Sequence, residues 1–106
     1  MEDNCRGIYS VILGGKSGEI YNIGSGNELS NLEITYMILD AMGADESSIE
    51  FVQDRKGHDF RYSVDWAKIK EELGYSPQIP LSRGLLDTID WYKENQSWWV
   101  PLKSKQ

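Results

Sequence analysis

Glu19-Ile20-Tyr21-Asn22-Ile23-Gly24-Ser25-Gly26-Asn27-Glu28-Leu29-Ser30-Asn31-Leu32-Glu33 is the stretch whose reading decides the fold class. Its first five residues are rich in β-branched and aromatic side chains and predict a short strand. Gly24-Ser25-Gly26-Asn27 reads as a turn. Ser30 with Glu33 three positions later forms a capping box that opens a helix. Ile34, Ile38 and Ala41 carry the apolar face of that helix to Gly43, which ends it. A strand, a glycine turn and a capped helix in this order point to an α/β fold.

Working outward, residues 2–13 read as a helix with Cys5, Ile8 and Ile12 on one side, ended by Gly14-Gly15. Downstream, residues 49–52 predict a second strand, residues 54–61 a polar loop, and Tyr62-Ser63-Val64 a very short third strand. Asp65 caps a helix over residues 66–73 that Gly74 stops. Pro77 and Pro80 bracket an extended connector, because neither is tolerated inside a helix. The last helix runs from about residue 81 to 95, with Leu85, Ile89 and Tyr92 spaced to face a core. The expectation is therefore a single small, helix-rich α/β domain over residues 1–106 with two or three short strands.

Composition narrows the function. At 106 residues, with 40% hydrophobic and 26% charged side chains, the chain has the make-up of one globular domain. No apolar run approaches the roughly 20 residues that cross a bilayer, and the acidic start Met1-Glu2-Asp3-Asn4 is unlike a targeting peptide. A net charge of −6 argues against nonspecific binding of nucleic acid. One Cys and one His complete neither an internal disulfide nor a protein-only zinc site. A cytoplasmic protein, with neither membrane nor nucleic acid as partner, is expected. Four Trp and six Tyr are many for so small a chain, either filling its core or facing a partner domain.

Gly24-Ser25-Gly26 invites a dinucleotide-binding reading. Leu29 stands where the third glycine of G-x-G-x-x-G belongs, so a structural turn is expected and no bound cofactor. Asp54-Arg55-Lys56-Gly57-His58-Asp59-Phe60-Arg61-Tyr62 is the strongest chemical signal. It sets three cations, a histidine and a glycine in one loop of an acidic chain. Arginine matches phosphate oxygens with a planar fork, and glycine lets backbone approach a ligand. The rival reading is a solvated loop in which Asp54, Arg55, Asp59 and Arg61 pair with one another. His58 reads as a polar contact more readily than as a base, because spacing places no carboxylate or nucleophile beside it. Ser30 reads as a cap rather than a nucleophile. Asn31 sits where helix N–H groups favour an anion, or is ordinary first-turn polarity. Trp98-Trp99 reads as packing rather than a stacking platform.

Gly18-Glu19-Ile20-Tyr21-Asn22-Ile23-Gly24, Asn31-Leu32-Glu33, the 54–62 loop, Asp65-Trp66-Ala67-Lys68-Ile69, Glu72-Leu73-Gly74-Tyr75-Ser76-Pro77-Gln78 and Trp91-Tyr92-Lys93-Glu94-Asn95 together resemble the C-terminal part of the dTDP-glucose 4,6-dehydratases. These are extended short-chain dehydrogenase/reductases that act on nucleotide sugars. The resemblance implies a C-terminal substrate-binding portion, normally appended to an NAD-binding Rossmann domain, in a homodimeric enzyme. That enzyme converts dTDP-glucose to dTDP-4-keto-6-deoxyglucose and water, using and regenerating NAD. It further implies that Arg55 contacts the diphosphate, that Asn31, Asp54, Lys56, Gly57 and His58 line the same ligand, and that Tyr62 lies near the nucleotide.

Two departures stand out. The family's D-R-P-G-H-D-R-R-Y has Lys56 in place of proline and Phe60 in place of arginine. The family's glycine-rich NAD fingerprint, Tyr-x-x-x-Lys pair and Asp-Glu acid/base pair all precede the matched region. This chain is thus expected to bind substrate and to hold neither catalytic residues nor NAD by itself. Two other functions fit the residues: the C-terminal domain of a UDP-sugar epimerase or decarboxylase, and a stand-alone, non-enzymatic nucleotide-binding or interaction module.

Overall fold

The computed structural model describes residues 1–103. The described residues form five α-helices, α1 (Glu2–Gly14), α2 (Asn31–Met42), α3 (Ala67–Leu73), α4 (Leu81–Glu94) and α5 (Gln96–Lys103), and a 3-10 turn at Glu46–Ser48. They fall into two compact units. The first combines Met1–Glu28 with Val52–Ile79, and the second combines Leu29–Phe51 with the chain from Pro80 onward.

In the first unit α1 lies against α3. The core is small: Ile69 is fully buried, and Tyr75 nearly so, its ring meeting Trp66 edge-on at 6.1 Å. Gly7 is the residue of α1 turned inward. A Cβ there would stand 2.8 Å from Ile23 Cγ2, so only glycine lets this side chain reach the helix. The expected apolar side of α1 is correspondingly outward. Cys5 is exposed, and Ile8, Tyr9, Ile12 and Leu13 form a stripe open to solvent. Periodicity identified the stripe but not the direction it faces, because small residues make the closer helix contact.

The N-terminal helix is fastened to the last residues of its unit by one carboxylate. Asp3 accepts hydrogen bonds from the backbone N–H groups of Gln78 at 3.0 Å and Ile79 at 2.9 Å, and also pairs with Arg6 at 3.2 Å. The two backbone donors hold the Asp3 carboxyl below its ordinary pKa.

Among the described residues there is no strand, which corrects the expected two or three. Residues 19–23, 49–52 and 62–64 run without a hydrogen-bonded ladder. β-Branched and aromatic residues favour extended backbone, but a strand also needs a neighbour to pair with. Residues 19–23 are held by side chains instead. Lys68 of α3 pairs with Glu19 at 2.6 Å, donates to the Ile20 carbonyl at 3.0 Å and lies over the Tyr21 ring at 4.8 Å. The Tyr21 hydroxyl donates to Glu72 at 2.9 Å and accepts from the Lys16 N–H at 3.2 Å.

In the second unit α2 packs on α4. Ile34, Ile38, Ala41, Leu85 and Ile89 are half-buried, as expected, whereas Tyr92 is half exposed. The capping box forms as read: Ser30 Oγ accepts from the Glu33 N–H at 3.2 Å, and Glu33 accepts from the Ser30 N–H at 2.7 Å. Gly43 closes α2 in the left-handed conformation, φ 67°. Trp98 and Trp99 begin no loose tail but belong to α5. Trp98 meets Trp91 at 5.5 Å, Trp99 meets Tyr92 at 6.0 Å, and the Trp99 Nε1–H donates to the Tyr92 carbonyl at 2.8 Å. The pair is packing, as expected.

Asp3 supplies a pH test. A carboxylate whose folded pKa is depressed stabilises the fold above its unfolded pKa, about 4, and loses that contribution as pH falls through the folded value. Asp3→Ala is expected to lower the thermal midpoint at pH 7. The gap to wild type should close on acidification below about pH 4. A gap constant from pH 7 to pH 2 would show that the carboxylate is not the fastening.

Candidate anion-binding site

The 54–62 loop lies in the first unit, and its order comes from contacts between near neighbours. The His58 N–H donates to the Arg55 carbonyl at 3.3 Å, closing a turn with Gly57 at φ 73°. Among the described residues no non-glycine has positive φ, so Lys56 does not, and the turn has the type II pattern. Nothing lies within 4 Å of where a Cβ would stand at Gly57, which leaves its backbone open to a ligand.

The rival reading, in which the loop's own acids neutralise its arginines, is not what the structure has. Asp54 Oδ1 lies 2.8 Å from His58 Nδ1. Asp59 accepts from the Tyr62 hydroxyl, and this hydrogen bond raises the Tyr62 pKa. Arg61 is engaged by Glu28, from outside the loop, which raises the arginine's pKa and lowers the glutamate's. The side chains of Arg55 and Lys56 have no ion-pair or hydrogen-bond partner among the described residues. Two exposed cations thus stand next to an open glycine with no internal counter-charge. An anion with two or more oxygens is the ligand that arrangement suits.

Sequence reasoning missed two partners. It gave His58 no carboxylate, yet the i,i+4 spacing of Asp54 across the turn supplies one. With Nδ1–H donating to Asp54, the Nε2 of a neutral ring is left as an acceptor. It also grouped Arg61 with the loop's cations or paired it with the loop's own acids, since nothing local ties residue 61 to residue 28. The other expected residues fall as follows. Asp54, Arg55, Lys56, Gly57, His58 and Tyr62 share this loop. Asn31 is the first residue of α2 in the second unit, its carbonyl accepting from Thr35 Oγ1 at 2.7 Å. The glycines of Gly24-Ser25-Gly26 serve packing at the first position and backbone conformation at the last. A Cβ on Gly24 would stand 2.8 Å from Val64 Cγ2, and Gly26 has φ 71°. No group of three or more metal-ligating side chains gathers among the described residues.

Known proteins bear on this loop. No family model matches the chain. A dTDP-glucose 4,6-dehydratase of Streptomyces niveus is 51% identical over 104 residues, 98% of this chain and 31% of the relative. The chain resembles the C-terminal portion of the dTDP-glucose 4,6-dehydratases. A second such dehydratase, from an Actinoplanes strain, is 50% identical over 94% of the chain. The crystal structure of DesIV, the Streptomyces venezuelae dTDP-glucose 4,6-dehydratase with NAD and TYD bound, superposes with a TM-score of 0.92. It is 56% identical over 95% of this chain and 31% of its own. The chain therefore spans about a third of the length of the curated relatives it matches.

The turn is open to a direct test. Gly57→Ala, which forces a left-handed backbone on a residue with a Cβ, is expected to cost about 1 kcal/mol in urea unfolding. Lys56→Pro, which fits the second position of a type II turn, should stabilise by roughly 0.5 kcal/mol. A Gly57→Ala variant that loses no stability, or a Lys56→Pro variant that is destabilised, would show that the turn is of another type.

Proposed function

We propose that this chain is the nucleotide-sugar-binding portion of a dTDP-glucose 4,6-dehydratase, with Arg55 as the principal ligand of the diphosphate. The observation that carries the reading is the unpaired state of Arg55 and Lys56 beside the open turn at Gly57. Within the enzyme, Asp54, Lys56, Gly57 and His58 line the same ligand, and Tyr62 lies near the nucleotide. Arg55 neutralises phosphate charge and holds the sugar in place for chemistry done elsewhere. Positioning of this kind lowers a barrier by fixing the reacting geometry in advance.

The reaction is a cytoplasmic dehydration of dTDP-glucose to dTDP-4-keto-6-deoxyglucose, by a homodimer that carries NAD. NAD and the acid, base and tyrosine groups belong to a Rossmann domain that precedes the matched region in the family. Two features of the first unit support such a neighbour. The stripe of Ile8, Tyr9, Ile12 and Leu13 on α1 faces outward, and residues 19–23 offer backbone groups that no strand pairs.

Titration of the 106-residue chain with dTDP tests the reading. Wild type is expected to bind, with affinity falling as salt rises, and Arg55→Ala to bind at least tenfold more weakly, the loss of a charge-assisted pair. Equal affinities for wild type and Arg55→Ala would remove Arg55 from the site. A preference for UDP over dTDP would move the assignment to a UDP-sugar enzyme.

A further inference from the structure

Glu28 lies outside the 54–62 loop and is not among the residues expected to touch a ligand. Its carboxylate is nonetheless the loop's external anchor. Arg61 meets it with two nitrogens, Nε on one oxygen and Nη2 on the other at 2.8 Å. Ser63 Oγ donates to the second oxygen at 3.2 Å. A guanidinium fork on a carboxylate fixes orientation as well as distance, which a single lysine contact does not. Residues 61 and 63 are thereby tied to residue 28, some 33 positions earlier, at the place where Val64 lies against Gly24.

Among the described residues the entry to the loop has no comparable anchor, for Val52 is largely exposed and Asp54 reaches only His58. Order therefore passes inward from the exit. Glu28 holds Arg61 and Ser63, Tyr62 holds Asp59, His58 holds Asp54, and the His58 N–H holds the Arg55 carbonyl. The same pairing withdraws Arg61 from competition for the anion and leaves Arg55 and Lys56 as the cations presented.

We infer that Glu28 is a positioning residue that orders the 54–62 loop by clamping Arg61 and Ser63, so that Arg55 and Lys56 meet the phosphates. The role of the loop as a phosphate site rests on the function proposed above; the ordering itself does not. Two readouts on the 106-residue chain keep these apart.

The first is the 15N heteronuclear NOE of residues 55–59 in wild type, Glu28→Gln and the swapped pair Glu28→Arg with Arg61→Glu. Glu28→Gln should lower the NOE across 55–59 while the amides of α3 stay rigid, and the swap should restore it. The second is dTDP affinity. It should fall about three- to fivefold in Glu28→Gln, the range of one exposed ion pair, and recover in the swap. An unchanged NOE in Glu28→Gln overturns the inference, and so does an equal loss of order in α3, which marks general destabilisation. A wild-type chain that ignores dTDP while Glu28→Gln loosens the loop overturns the phosphate reading and leaves the clamp standing.

Discussion

The first unit depends on one carboxylate. Asp3 sits in the first turn of α1, where a helix leaves its own N–H groups unpaired, yet it turns to the N–H groups of Gln78 and Ile79. These lie at the end of the connector that follows α3. A connector bracketed by Pro77 and Pro80 has little secondary structure to satisfy its donors, so a side chain must do it. The bond joins residues 75 positions apart in sequence, linking the start of α1 to the chain that follows α3 and Tyr75. With only Ile69 and Tyr75 buried among the large apolar side chains of the described residues, fastening by polar contacts carries much of what a core carries elsewhere.

The site follows the same economy of charge. The acids around the 54–62 loop are already engaged: Asp54 by His58, Asp59 by Tyr62, Glu28 by Arg61. What is left over is positive, in a chain of net charge −6. A cationic spot set in an acidic surface discriminates by geometry more than by long-range attraction, because the general field repels anions. Such a site favours a ligand that brings several oxygens to one small area. That is consistent with the diphosphate of a nucleotide sugar and with the dehydratase relatives.

How much of this the sequence disclosed depends on range. Ser30 and Glu33 are three residues apart, and the helix they open was legible, as were the left-handed stops at Gly43 and Gly74. The cationic loop was legible as a cluster. Its division into engaged and free cations was not, since Glu28 and Arg61 meet only in the folded unit. Asp3 and Ile79 are beyond any local pattern for the same reason. The strand expectation failed at residues 19–23 because composition reports extended backbone and says nothing about a pairing neighbour. Helix α5 was hidden by Pro101, which argues against a helix locally; the edge-on contacts of Trp98 and Trp99 with α4 prevail over it.

The outward stripe on α1 also governs how copies of this chain behave toward one another. Ile8, Tyr9, Ile12 and Leu13 offer each copy a sticky ridge, while six excess negative charges push copies apart. At 0.01 M salt the repulsion reaches about 30 Å, well beyond the range of apolar contact. Near 1 M salt the screening length shrinks to about 3 Å and the ridge is no longer guarded. A buffer's salt content thus sets the reach of the charge that surrounds this one apolar helix face.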